Sequence, residues 1–219
     1  MFESLVLQGP VFERPPMGAL PLAAALVSTG AVAVAEIGDK TQLLALLLAA
    51  RFRRPWPIVA GILVATLLNH GLAGWLGAVA AHRLAPETLR WIVAASFLGI
   101  ALWALKPDGI DEHRALPGDR ALRPGPAQAF VATTLAFFLA EIGDKTQVAT
   151  VLLAARYQPL WEVVVGTTLG MLLANVPVVA LGSRFAHRLP LRAARIAAAL
   201  VFAALGLWAA LRGTMPAFG

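Results

Sequence analysis

Cysteine is absent from the whole chain, which removes disulfides, thiolate nucleophiles and soft thiolate metal sites together. Histidine is scarce: His70, His82, His113 and His187 are scattered and form no zinc-ligand spacing. Charge is thin as well, at 14% of residues against about 25% in an average soluble domain. What fills the space is apolar. With 59% hydrophobic residues and a mean hydropathy of +0.75, the 219-residue chain reads as an all-α integral membrane protein. The net charge of +6 invites a nucleic-acid reading, but the basic residues gather in short segments between apolar runs and lack interleaved aromatics for base stacking. They serve membrane topology, and no nucleic-acid partner is expected.

Against that background one stretch organises the rest. Glu36-Ile37-Gly38-Asp39-Lys40-Thr41-Gln42 returns verbatim as Glu141-Ile142-Gly143-Asp144-Lys145-Thr146-Gln147. Each copy sets two carboxylates and an ammonium inside a long uncharged run, between Met17–Ala35 and Leu43–Ala50 in the first case and between Phe130–Ala140 and Val148–Ala155 in the second. An ionisable side chain near a bilayer centre costs at least about 2.5–3.5 kcal/mol, so such groups default to functional roles.

Six apolar segments follow an irregular N-terminal tail, 1–16, which is either native or an addition ahead of a natural start at Met17. They run over 17–50, 57–81, 91–105, 126–155, 163–183 and 196–211. A secretory signal is not expected, because Glu3 and Glu13 outnumber Arg14 where a basic region would stand. The third and sixth segments fall short of the roughly 20 residues needed to span, flanked by Arg90 and Lys106 and by Arg195 and Arg212, which can snorkel. The first and fourth are too long for one straight span, so each is expected to tilt, kink or break near Gly38 and Gly143.

The repeat extends beyond the motif at the same offset. Arg51-Phe52 matches Arg156-Tyr157, Trp56 matches Trp161, Gly61 matches Gly166, Gly77 matches Gly182, His82-Arg83-Leu84 matches His187-Arg188-Leu189, and Trp103 matches Trp208. The chain therefore divides into three-span halves, 17–106 and 126–212, joined by a polar, Pro- and Gly-rich linker, 107–125, with a short C-terminal tail, 213–219. Three spans per half send the second half in from the opposite side, giving six transmembrane helices as two inverted repeats, an architecture that places binding sites near the midplane. Five basic residues fall on one side, with Arg83, Arg90 and Arg156 among them, and eleven on the other, with Arg51, Arg53, Arg54 and Arg114 among them. Positive-inside then puts both termini outside and the linker in the cytoplasm.

On a helix, Glu36 and Asp39 would share a face with Lys40 beside it, and Glu141, Asp144 and Lys145 would repeat the arrangement. Brought together by the pseudo-twofold, four carboxylates and two ammoniums leave a formal −2, which one divalent cation or two protons would neutralise. The metal ligands read from the motif are Glu36, Asp39, Glu141 and Asp144, with Lys40 and Lys145 balancing charge. Thr41, Gln42, Thr146 and Gln147 are candidate further ligands or cavity walls, as are Asn69, His70 and Asn175; helix-to-helix hydrogen bonding is the competing role for the last three. An oxygen-rich, thiol-free set suits Mn²⁺, Ca²⁺ or Mg²⁺, and an imidazole at His70 would favour Mn²⁺. Static salt bridges, Glu36–Lys40 and Glu141–Lys145, are the opposing reading, and they leave Asp39 and Asp144 unpaired.

Two copies of E-x-G-D-K-[ST], one per half, resemble the signature of the GDT1/TMEM165 family, and the resemblance covers nearly the whole chain. It implies a six-span cation/proton antiporter for Mn²⁺ and Ca²⁺, with bacterial members similar to manganese exporters. It also implies that Glu36, Asp39, Glu141 and Asp144 carry the metal and the protons. Many relatives have Asp in the fifth span, where Leu173-Ala174-Asn175-Val176-Pro177 presents Asn175, so His70 is a candidate to compensate. The expectation is a secondary transporter in a bacterial inner membrane that exports Mn²⁺ in exchange for protons, with no cofactor beyond its cargo and with a homodimer left open. A metal-selective channel shares the ligands and differs in coupling. An intramembrane aspartyl protease would want Gly where Glu36 and Glu141 stand, and a lipid-pyrophosphate phosphatase would want Arg with Ser or His beside the acids. A basic amino-acid exporter would need a larger, less charge-dense pocket.

Overall fold

The computed structural model of the protein describes residues 22–106, 125–181 and 191–211. Among them stand eight helices and no strand: α1 (Ala23–Glu36), α2 (Lys40–Phe52), α3 (Pro55–Arg83), α4 (Pro86–Ala104), α5 (Pro126–Glu141), α6 (Lys145–Arg156), α7 (Leu160–Leu181) and α8 (Leu191–Leu211). The two tails, nearly all of the linker, His113, His187 and the basic residues Arg14, Arg114, Arg120, Arg123, Arg184, Arg188 and Arg212 lie outside the described residues.

α3, α4 and α7 are each long and apolar enough to cross a bilayer, and α5 with α6 qualifies as one bent pair. α1 and the Arg195–Leu211 part of α8 are shorter apolar helices. Several helices outrun the apolar pattern, two of them by five residues. α4 starts at Pro86 instead of Trp91, and α8 at Leu191 instead of Ile196. Pro86 occupies the first helical turn, where its missing N–H costs nothing, so the helix begins among polar residues that a hydropathy reading excludes. Arg90 thus lies within α4 instead of flanking it, donating to the Ala210 carbonyl at 2.5 Å and pairing with Glu87 at 3.2 Å.

Both motifs interrupt their helices in the same way. Asp39 N donates to Glu36 O at 3.1 Å across Ile37 (φ −66°, ψ 113°) and Gly38 (φ 82°), the dihedrals of a type II turn. The second copy repeats it: Asp144 N to Glu141 O at 3.1 Å, Ile142 at φ −61° and ψ 119°, Gly143 at φ 75°. The positive φ at the third position explains why glycine stands there. Each turn is pinned by its own glutamine, with Gly38 N donating to Gln42 Oε1 at 2.8 Å and Gly143 N to Gln147 Oε1 at 2.7 Å. The axes of α5 and α6 differ by 72°.

The two halves interleave. α1 packs against α7, α5 against α3, α2 against α7 and α6 against α3, so each broken pair lies on the long helix of the opposite half. α4 pairs with α8, where the Phe97 and Phe202 rings stack at 6.2 Å. Two glycines allow the crossings. A Cβ on Gly61 would lie 2.9 Å from the Phe130 carbonyl oxygen and 2.8 Å from the Thr133 Cβ, and one on Gly166 would lie 2.8 Å from the Ala25 Cα and 2.9 Å from the Ser28 Cβ. Gly61 and Gly166, Phe130 and Ala25, and Thr133 and Ser28 are all repeat-related positions. Thr29 Oγ1 adds a bond to the Gly166 carbonyl at 3.0 Å. Such small-residue crossings replace hydrophobic pressure as the source of helix association in lipid.

Two kinds of glycine can be told apart by melting the purified protein in detergent. Gly143→Ala has open space for its methyl but a positive φ, and should cost about 1–2 kcal/mol from backbone strain alone. Gly166→Leu meets backbone and should cost more, about 3 kcal/mol, whereas Gly71→Leu meets nothing within 4 Å and should be nearly neutral. Equal melting of Gly166→Leu and Gly71→Leu would contradict the crossing.

Candidate metal site

The broken pairs bring both motifs to one place in the protein interior. Glu36, Asp39, Glu141, Asp144, Lys145, Thr41 and Thr146 are all buried, none more than 2% exposed. Among the described residues, Glu36, Glu141 and Asp144 place carboxylate oxygens within 4.8 Å of one another. Neither Asp39 nor His70 belongs to that group.

The lysines do not pair as a continuous helix would require. Because the chain turns at residues 37–39, Lys40 is carried away from Glu36, and the same happens to Lys145 and Glu141. Each lysine instead crosses to the aspartate of the other copy. Lys145 Nζ lies 2.9 Å from Asp39 Oδ1 and Lys40 Nζ lies 3.1 Å from Asp144 Oδ1. The intrahelical bridges Glu36–Lys40 and Glu141–Lys145 are therefore replaced by bridges between the halves. Removing one partner of a fully buried pair such as Lys145–Asp39 typically costs about 3–5 kcal/mol, so that contact in particular ties the repeats together.

That pairing isolates the glutamates. Thr41 donates to Glu36 Oε2 at 2.5 Å, and Thr146 donates to Glu141 Oε2 at 3.1 Å and lies 3.3 Å from Asp144 Oδ2. The second oxygens, Glu36 Oε1 and Glu141 Oε1, are buried and have no hydrogen-bond partner. Two lysine–aspartate pairs cancel, so the formal −2 resides on Glu36 and Glu141. Two uncompensated carboxylates are unfavourable in a dehydrated interior until protons or a cation neutralise them.

The remaining candidates serve as braces or as lone polar groups. Gln42 Nε2 donates to the Ala174 carbonyl of α7 at 2.9 Å, and Gln147 Nε2 lies 3.5 Å from Asn69 Oδ1 of α3. Asn69 Nδ2 also reaches the Phe138 carbonyl at 3.1 Å, so Asn69 touches both sides of the α5–α6 turn. Its repeat partner is Ala174, which offers only a backbone oxygen. Asn175 donates to Met171 O at 3.0 Å within its own helix and leaves Oδ1 buried without a partner. His70 is fully buried with both ring nitrogens unpartnered. His82 is exposed at the end of α3.

Sequence reasoning did not single out Ser28 and Thr133, a repeat-related pair of buried hydroxyls without partners on α1 and α5. The available signal was a pair of adjacent hydroxyl residues eight and seven positions ahead of each glutamate, Ser28-Thr29 and Thr133-Thr134, inside runs that otherwise avoid polarity. The crossed lysine pairing was also missed, because i, i+4 spacing presumes an unbroken helix.

Comparison with known proteins picks out the same two halves. The sequence model of the family described as "Divalent cation/proton antiporter GDT1" matches residues 24–112 and again 129–217, two segments set apart by the same offset as the internal repeat. A Vibrio cholerae protein named "Putative manganese exporter" is 52% identical over 182 residues, covering 83% of this chain and 87% of its own. The GDT1-like protein sll0615 of Synechocystis is 29% identical over 192 residues, covering 78% and 88%, and GDT1-like protein 5 of Arabidopsis thaliana is 29% identical over 205 residues, covering 80% and 89%. No solved structure matches. A doubled match across most of the chain, centred on acids buried within apolar helices, makes this integral membrane protein a member of the GDT1 family of divalent cation/proton antiporters.

Proposed function

We propose that the protein is a secondary transporter that exchanges one divalent cation, Mn²⁺ first and Ca²⁺ next, for protons, and exports Mn²⁺ from the cytoplasm of a bacterium across its inner membrane. The observation that carries this reading is the meeting of Glu36, Glu141 and Asp144 oxygens within 4.8 Å, with a buried, unpartnered oxygen on each glutamate. The formal −2 on the glutamates is matched by one divalent cation or two protons, so the two cargoes exclude each other. That mutual exclusion is the coupling an antiporter needs, and it distinguishes this reading from an open channel. The relative named as a manganese exporter favours Mn²⁺. The all-oxygen set suits Mn²⁺ and Ca²⁺ alike, and the imidazole of His70, which stands outside the group of three, would add a preference for Mn²⁺ only if it joined them.

In this reading Asp39 and Asp144 complete the acid set with Glu36 and Glu141, and Lys40 and Lys145 hold the aspartates ionised. Thr41 and Thr146 orient the glutamates, Gln42 and Gln147 hold the turns, and Asn69, His70 and Asn175 line the α3 and α7 walls. The α1–α2 and α5–α6 pairs each act as one broken span, giving six spans as two inverted three-span repeats with both termini outside. Support comes from the end contacts. The α5 start meets the α3 start at Gly61 and Phe130, while the α1 start meets the α7 start at Gly166 and Ala25. The latter end also gathers Arg90, Arg156 and Trp208, the basic and aromatic residues suited to an interface.

Three outcomes follow. Glu141→Gln and Asp144→Asn should each abolish Mn²⁺ uptake into everted vesicles, and normal transport by either would remove its metal role. Mn²⁺ affinity should fall with acidification by about 100-fold per pH unit where two protons are displaced, and by about tenfold where one is; calorimetry at two pH values reads the number directly, and a pH-independent flux would favour the channel. Arg114→Cys in this cysteine-free chain should resist impermeant thiol reagents in intact cells, and ready labelling would invert the topology.

A further inference from the structure

The two lysines are not equivalent. Lys145 is sealed, with 3% of its side chain exposed and a partner, Asp39, that stands outside the group of three converging acids. Lys40 has 27% of its side chain exposed, the highest among the motif's lysines and acids, and its partner, Asp144, is one of the three. Both lysines are the first residue of a helix, where the positive end of the helix dipole disfavours a cation. Each is held against that disfavour by the aspartate it reaches. A long, flexible ammonium side chain can swing away from such a partner, and of the two lysines only Lys40 keeps part of its length uncovered by protein.

We propose that Lys40 is a tethered stand-in for the transported cation: its ammonium occupies Asp144 while the site is empty and swings out toward solvent when a divalent cation arrives. This rests on the transporter reading above and adds the identity of the competitor. Lys145 stays on Asp39 throughout binding in this conformation and acts as a fixed tie between the halves. With the ammonium on Asp144, the third acid of the site is neutralised before any cation comes. Release as well as capture becomes part of the design, since the returning ammonium competes the cation off its ligand.

The absence of cysteine makes the test direct. Lys40→Cys removes the charge, and reaction with an aminoethyl methanethiosulfonate restores a positive group of similar length. Mn²⁺ titration of the purified protein should show Lys40→Cys binding about tenfold more tightly than the unaltered chain, an effect expected when a nearby like charge is removed. Proteoliposome exchange should show a lowered KM with a lowered maximal rate, because release loses its competitor. Modification should return both toward the unaltered values. Lys145→Cys should tighten binding by clearly less than Lys40→Cys, because its aspartate stands outside the three converging acids, and should resist the reagent. Unchanged or weaker Mn²⁺ binding by Lys40→Cys would overturn the proposal, as would equal tightening by Lys145→Cys. If Lys40→Cys does not fold, Lys40→Gln provides the same neutral state: tighter Mn²⁺ binding supports the stand-in role, and unchanged or weaker binding overturns it. An unaltered chain that binds no Mn²⁺ at all would instead remove the transporter reading on which the proposal stands.

Discussion

Two ion pairs cross from one half of the chain to the other, Lys145 to Asp39 and Lys40 to Asp144, and the rest of the structure is arranged to permit them. Buried charges are tolerated only when paired or neutralised. Pairing within one helix would have satisfied each copy of the motif alone, and the two halves would then have had no electrostatic reason to meet. The type II turns remove that option by taking Lys40 and Lys145 off the helices that end at Glu36 and Glu141. Glycine at Gly38 and Gly143 supplies the positive φ, and the glutamine of each motif accepts the glycine N–H that the broken helix leaves open.

The helices around this centre are packed for close approach. Gly61 and Gly166 let α5 and α1 lie against α3 and α7, which brings the two turns within reach of each other. Once there, the aspartates use the lysines and the glutamates remain. Their second oxygens have no hydrogen-bond partner in the protein, and a buried carboxylate left in that state calls for a physical explanation. Structural economy and function coincide here: the same crossed pairs that join the repeats leave a charge that only a cation or protons can cancel.

Much of this was legible in the chain. A verbatim acidic heptapeptide inside uncharged runs points to buried charge, and its repetition points to two halves facing one site. Glycine beside those acids points to irregular backbone at that depth. What the pattern could not show is partner choice. Lys40 is four residues from Glu36, and periodicity assigns it there; only the turn, which depends on the third-position glycine adopting positive φ, sends it to Asp144. Helix ends were equally hidden, since α4 begins among Pro86, Glu87 and Arg90, residues that hydropathy counts as loop but that a proline-started helix accommodates readily. The difference between Asn69, which spans the second turn, and Ala174, which offers only a carbonyl to the first, becomes meaningful only once both turns are seen against α3 and α7.

The repeats are thus alike in backbone and unlike in surroundings. Asp144 joins the two glutamates while Asp39 does not, and Lys40 is partly uncovered while Lys145 is enclosed by protein. An inverted pair of halves caught in one of two conformations would have this character, with one half sealed and the other open. Transport by exchange requires that one cation sit between the glutamates of the two motifs. Anomalous X-ray scattering at the manganese edge, from crystals of the protein grown with Mn²⁺, locates that ion directly. A single peak is expected between Glu36 and Glu141 and against Asp144; a peak elsewhere in the fold, or none there at saturating Mn²⁺, would contradict the shared site.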